Sequence, residues 1–215
     1  MIKNRTVQLI FQSFFCAFGV VGIFSSIGFF DYKFYDVFYV MFTNLSNYLC
    51  VGIMFAQLVQ TAKKKGDGYV NTAPILMFIA MLGILLTFLV FNIMLAPTRE
   101  AALNFSVGSI LFHVVLPLMF IADWILFYER KQIKWYYPLL SVFFPLTYAA
   151  FIFIRAWALN FNPSAPSIYP YFFLNLDNLG VAGVAKWILI LFVCFVVVGY
   201  IFFAFDRLIK SPKKQ

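Results

Sequence analysis

Residues 42–47 read Phe42-Thr43-Asn44-Leu45-Ser46-Asn47, and the one histidine of the chain is His113. Both lie in otherwise apolar stretches. A hydroxyl and an imidazole held in hydrocarbon cost free energy unless they are paired or used. A hydroxyl nucleophile and a base are also the minimum equipment for covalent ester hydrolysis. The blander reading of Thr43 is a bond to a carbonyl one turn back in its own helix. For His113 it is a hydrogen bond to a neighbouring helix.

The elements that carry these residues read as membrane helices. Of 215 residues 64% are apolar and 11% charged, and the mean hydropathy is +0.91. Uninterrupted apolar runs of about 20 residues indicate an all-α polytopic membrane protein. The spans fall at 7–30, 36–62, 72–95, 103–128, 136–158 and 181–206, in one domain covering 1–215. The runs are continuous rather than alternating, which excludes a β-barrel. The first run is too long for a cleaved signal peptide.

Basic residues set the expected orientation. Lys3, Arg5, Lys63, Lys64, Lys65, Arg130, Lys131, Lys134, Arg207, Lys210, Lys213 and Lys214 fall on one side of such a bundle. Lys33, Arg99, Arg155 and Lys186 fall on the other. The bias puts both termini in the cytoplasm and the protein in the cell membrane. The net charge of +8 follows from these flanks, which face anionic lipid headgroups. They form no continuous basic surface, so a nucleic-acid partner is not expected. Cys16, Cys50 and Cys194 lie within spans and read as small buried apolar residues, not as a disulfide set or a metal site.

At about 100° per residue, Thr43, Ser46, Asn47, Cys50 and Gln57 share one face of the second span. Ser106, Ser109, His113, Pro117 and Trp124 form a similar stripe on the fourth. With 1.5 Å of rise per residue, Thr43 lies about 10 Å beyond Asp36, and His113 lies about 15 Å into its span. The two depths overlap, so the residues can meet if the spans are neighbours. Asn92, Arg155, Asn175 and Asp177 gather at the same level, which suggests a polar pocket opening toward the outer leaflet. Asp123 is off the His113 stripe and is expected to pair near the cytoplasmic end, with Arg130 as partner. The loop 159–180 carries Pro163, Pro166 and Pro170 and the aromatic run Tyr169–Phe173. It reads either as an interfacial aromatic belt or as a lid over the bundle.

Phe42-Thr43-Asn44-Leu45-Ser46-Asn47 resembles the signature near the second span of the androgen-induced-protein family of membrane hydrolases, in its bacterial six-helix branch. His113-Val114-Val115-Leu116-Pro117 with Asp123-Trp124 is similar to that family's fourth span. Tyr169-Pro170-Tyr171-Phe172-Phe173-Leu174 followed by Gly180 is similar to its third landmark. Tyr137-Pro138 and Pro145-Leu146-Thr147-Tyr148 fit between, in the expected order. The resemblance implies an intramembrane hydrolase of long-chain fatty-acid esters, such as fatty-acid esters of hydroxy fatty acids. It makes Thr43 the nucleophile and His113 the base. That chemistry needs no cofactor and no metal, and its partners are the lipid substrate and membrane lipids. By face, Asn47, Ser46 and Ser109 are candidate oxyanion donors. Arg155 could hold a substrate carboxylate, and Asp177 is the candidate orienter of His113. A competing reading makes the same pocket a non-catalytic lipid-binding or carrier site. A transporter is the weaker third, for want of internal repeats and paired intramembrane charges.

Overall fold

The computed structural model describes residues 1–35, 38–98, 105–159 and 169–209. Among the described residues the regular elements are all helices, and six of them are long and apolar enough to cross a membrane. They are α1 (Arg5–Ser26), α2 (Phe42–Lys63), α3 (Pro74–Leu95), α4 (Val107–Phe127), α5 (Tyr137–Leu159) and α6 (Leu176–Leu208). All six expected spans are present with shifted ends. The expected starts at 36 and 103, Arg99, and residues 160–168 of the long loop lie outside the described residues.

Local chemistry sets several boundaries. The Asn4 side chain accepts from Val7 N at 3.0 Å and caps α1. The first span was expected to reach 30, but α1 ends at Ser26, just before Gly28 turns left-handed at φ +84. A Cβ there would lie 2.2 Å from Lys33 O, so glycine is required. Ser106 caps α4 by accepting from Ser109 N. At Gly180 the backbone takes φ 62, ψ 176 and breaks the start of α6, so the regular helix runs on from 181.

One boundary matters for the site. The second helix begins at Phe42, not near Asp36. Thr43 therefore lies in the first turn of α2 rather than well inside it. The preceding chain is tied back by Asn44, whose Nδ2 donates to Phe38 O at 2.8 Å, and by Tyr148, whose hydroxyl donates to Val40 O at 2.8 Å.

α4 packs against α1, α2 and α3, and α3 also touches α5 and α6. The second and fourth spans are thus neighbours, which spacing alone left open. Small residues let the helices approach. A Cβ on Gly22 of α1 would fall 2.2 Å from the Phe112 ring of α4. The main core joins Phe15, Cys50, Met54, Met81, Phe112, Leu116 and Trp124. A second cluster joins Val40, Phe42, Tyr148, Ile152, Phe173 and Leu174 around the foot of α2. Much of the outer surface is apolar, with Ile10, Phe14, Ile154, Leu189, Val193 and Ile201 exposed. Cys16 and Cys50 are buried as expected, but Cys194 lies on the exposed face of α6. That helix contacts the rest along a narrow stripe, so most of its side chains face outward.

Candidate functional site

His113 sits in a π-helical turn, Leu111–Val115, and a second π turn, Phe91–Leu95, closes α3 beside it. The cause of the first is visible in Pro117, which has no N–H to give. An α-helical bond from residue 117 would serve His113 O, and a π bond would serve Phe112 O. Leu116 N–H already returns five residues, to Leu111 O. Two asparagines from neighbouring helices supply the missing donors. Asn47 Nδ2 of α2 donates to Phe112 O at 3.0 Å, and Asn92 Nδ2 of α3 donates to His113 O at 3.3 Å. Orphaned backbone groups are re-satisfied in this way when a proline breaks a membrane helix. π turns of this kind are frequent at functional sites.

The imidazole is oriented from its own helix. His113 Nδ1 lies 2.9 Å from Ser109 O and 3.2 Å from Ser109 Oγ. A carbonyl oxygen only accepts, so Nδ1 carries the hydrogen and Nε2 is the basic nitrogen of the neutral ring. A backbone carbonyl thus orients the ring. Asp177 lies exposed in the first turn of α6, where its charge bears on Tyr169. The Phe91 ring lies flat against His113, with centroids 3.5 Å apart and planes 16° apart.

Thr43 stands apart from the other buried hydroxyls. Thr61 Oγ1 donates to Gln57 O at 2.9 Å and Ser141 Oγ to Tyr137 O at 2.8 Å, each one turn back in its own helix. Thr43 is 8% exposed and sits where α2 has no preceding turn. Val40 O, three residues back, receives the Tyr148 hydroxyl instead. Among the described residues no short hydrogen bond engages the Thr43 hydroxyl. It lines a partly open apolar cavity of about 80 Å³ together with Phe42, Thr87, Phe91, Tyr148, Tyr171 and Phe173. Phe91 therefore touches both the cavity and His113, and the base lies one ring away from the hydroxyl's chamber.

The other residues singled out by sequence divide clearly. Ser46 Oγ is 3.1 Å from Thr43 O and 2.8 Å from Thr87 Oγ1. Asn47 Nδ2 spends its second hydrogen on Thr43 O at 2.8 Å. Ser109 is engaged with His113. Arg155 is half-buried and its charge bears on the Tyr148 hydroxyl. Asp123 does not pair with Arg130. Its Oδ1 accepts from Gln12 Nε2 of α1 at 3.2 Å, because α1 packs directly on α4.

Two contributors were missed. Thr87 of α3 is buried in the cavity wall, and only the packing of α3 on α2 reveals it. Tyr171 belongs to the aromatic run before α6. Burial pushes its phenol above the ordinary value, while the Thr43 hydroxyl, the backbone N–H groups of Thr43 and Phe42 and the Tyr148 hydroxyl oppose the rise. The phenol end thus points at the first turn of α2, in contacts looser than the bonds above. The described part of the long loop, from Tyr169 on, folds into a short 3₁₀ turn over Phe172–Leu174, and Phe173 and Leu174 are buried. It forms one wall of the cavity, which favours a cover over a free aromatic belt.

A family model described as "Protein of unknown function (DUF2627)" matches residues 74–136. That stretch holds α3, α4, Asn92, His113 and Pro117, but neither Thr43 nor Tyr171. Comparison with curated proteins gives no match, and comparison with solved structures gives none either.

Proposed function

We propose that this chain is a multi-pass hydrolase of the cell membrane that cleaves long-chain fatty-acid esters, with Thr43 as nucleophile and His113 as base. In this reading both termini lie in the cytoplasm and the cavity opens toward the outer leaflet. One observation carries it: a buried hydroxyl without a carbonyl behind it faces a partly open apolar cavity. Its apolar lining and open side suit an acyl chain entering from the bilayer, and the hydroxyl stands at its polar wall. The resemblance to the androgen-induced-protein family supplies the reaction type.

Thr43 Oγ attacks the ester carbonyl carbon, and its proton passes to His113 Nε2. The C–O bond to the alcohol breaks, and the alcohol leaves with the proton from the imidazolium. Water then attacks the acyl-threonine and gives a proton to His113; the acyl C–Oγ bond breaks, the imidazolium returns that proton to Thr43 Oγ, and the fatty acid leaves. Because Phe91 stacks on the imidazole, the transfer needs a bridging water or a turn of the Phe91 ring.

A fluorophosphonate probe should label the purified protein on Thr43. Labelling should vanish in Thr43→Ala, and turnover of a fatty-acid ester should vanish in His113→Ala. Unchanged labelling and turnover in both variants would end the proposal. The Phe91 stack favours a second reading, in which the cavity binds lipid without cleaving it. That reading expects a co-purifying acyl lipid and no acyl adduct on Thr43.

A further inference from the structure

The cavity at Thr43 is too small to enclose a long chain, and it is not closed. Its volume is about 80 Å³, room for roughly half a dozen water-sized groups. Among its described lining residues Leu146 of α5 and Phe192 of α6 are exposed, at 38% and 39%, and the others are buried or half-buried. The open side therefore lies between α5 and α6.

Helix packing frames that opening from both ends. α6 packs against the 137–141 stretch of α5 but scarcely against 143–159. Toward the end carrying the termini the two helices meet closely, since a Cβ on Gly199 would fall 3.0 Å from Pro138 Cβ. Toward the Thr43 end, Phe173 and Leu174 join Tyr148 and Ile152 of α5 to Trp187 of α6 in one apolar cluster. The Phe172 ring also meets Trp187 edge-on, with centroids 5.5 Å apart. Between Trp187 and Gly199 α6 runs about 18 Å, and Phe192 lies within that interval. No charged residue occurs in 143–149 or 188–195, so the rim of the gap offers hydrocarbon alone. The polar lining residues, Thr43, Thr87, Tyr148 and Tyr171, belong to the cavity behind it.

We infer that the gap between α5 and α6 is a side window through which the tail of a long-chain acyl ligand runs out into the bilayer, with roughly its first six carbons held inside. The inference deepens the proposed function and rests on it for the carbonyl end at Thr43. The occupant is a single hydrocarbon chain, because a helix, about 10 Å across, does not fit a space of this volume. A pocket that encloses its ligand measures the length of the chain, and one that lets the tail out does not. The site should therefore read the acyl chain near its carbonyl and be indifferent to its far end. Passage of a tail through the window does not depend on turnover, so the two ideas can fail separately.

The test uses the full chain in lipid nanodiscs and two photoreactive acids: palmitic acid with a diazirine near its methyl end, and hexanoic acid carrying a diazirine. Adducts are mapped by peptide mass spectrometry, with and without excess oleate. Chance labelling of lipid-facing residues such as Phe14 and Ile154 is not competed. Palmitoyl adducts should concentrate in 143–149 and 188–195, and oleate should remove them. Leu146→Trp and Phe192→Trp fill the window and should lower the competed palmitoyl adducts by about tenfold or more. Hexanoyl adducts on the cavity wall should persist in both, which also shows that the variants are folded. Ile201→Trp, on the exposed face of the same helix but away from the cavity, should change neither. Palmitoyl adducts that oleate does not compete, or competed adducts that survive both window variants, would overturn the window. Competed window adducts together with fluorophosphonate labelling that survives Thr43→Ala would keep the window and remove the hydrolase. Fluorophosphonate labelling confined to Thr43, with no competed window adduct, would do the opposite.

Discussion

The two ends of this bundle bury polar side chains to opposite effect. At the end carrying the termini, Gln12 donates to Asp123 at 3.2 Å, and both are 0% exposed. Arg130 gives its guanidinium to the carbonyls of Trp124 and Ile125 and lies 4.3 Å over the Trp124 ring. Asp206 accepts from Ile133 N at 3.1 Å, and Arg207 donates to Ile133 O at 3.1 Å. These groups clamp the 128–135 turn onto the helices, amid large side chains such as Trp124, Phe127 and Tyr128. At the other end Thr43, Thr87, Tyr148 and Tyr171 line a partly open cavity. Burial of a polar residue therefore does not by itself mark a site. The distinguishing features are the space in front of Thr43 and the missing helical turn behind it.

Substitutions can break this comparison. The largest effect expected is at the cavity end. Thr43→Ala should cut ester turnover by about a thousandfold or more, as loss of a covalent nucleophile does. Its melting temperature should hardly move, since no short hydrogen bond is lost; a large drop would show that Thr43 is structural. Asp123→Ala should do the reverse. It strips Gln12 of its partner and should lower stability by about 1–3 kcal/mol, with turnover per folded molecule unchanged. A matched fall in turnover would erase the division between the two ends.

A subtler test addresses the π turn. Asn47→Leu leaves Phe112 O buried without its side-chain donor and should cost about 1–3 kcal/mol. In a Pro117→Ala background residue 117 regains an N–H, so the same change should cost less. The double-mutant cycle should return a coupling of about 1 kcal/mol, and strict additivity would refute the donor exchange. Smallest of all, Ser141→Ala removes a hydroxyl that only bonds its own helix. It should shift stability by under about 1 kcal/mol and leave both lipid binding and turnover alone.

Six helices long and apolar enough to cross a membrane were legible because length and apolarity are properties of each segment. The break at Gly180 and the irregular turn before Pro117 are equally local, since one residue's backbone chemistry causes each. Helix starts were less legible. The stretch before Phe42 is as apolar as the helix it precedes, and what holds it outside α2 is a pair of bonds, one of them from Tyr148 in a distant helix. That difference moved Thr43 from the body of a span to its first turn.

The sequence by itself determined which residues were costly enough to matter: one hydroxyl-rich segment and one histidine, set among hydrocarbon side chains. It could not say which donors are spent, because a hydrogen bond between Asn47 and Phe112 O links residues 65 positions apart. Tertiary structure decided that Asn47 repairs a broken helix, that Asp123 belongs to Gln12, and that Tyr171 reaches Thr43. The physical reason is that hydrophobicity is carried residue by residue along the chain, whereas hydrogen-bond satisfaction exists only once the helices have met.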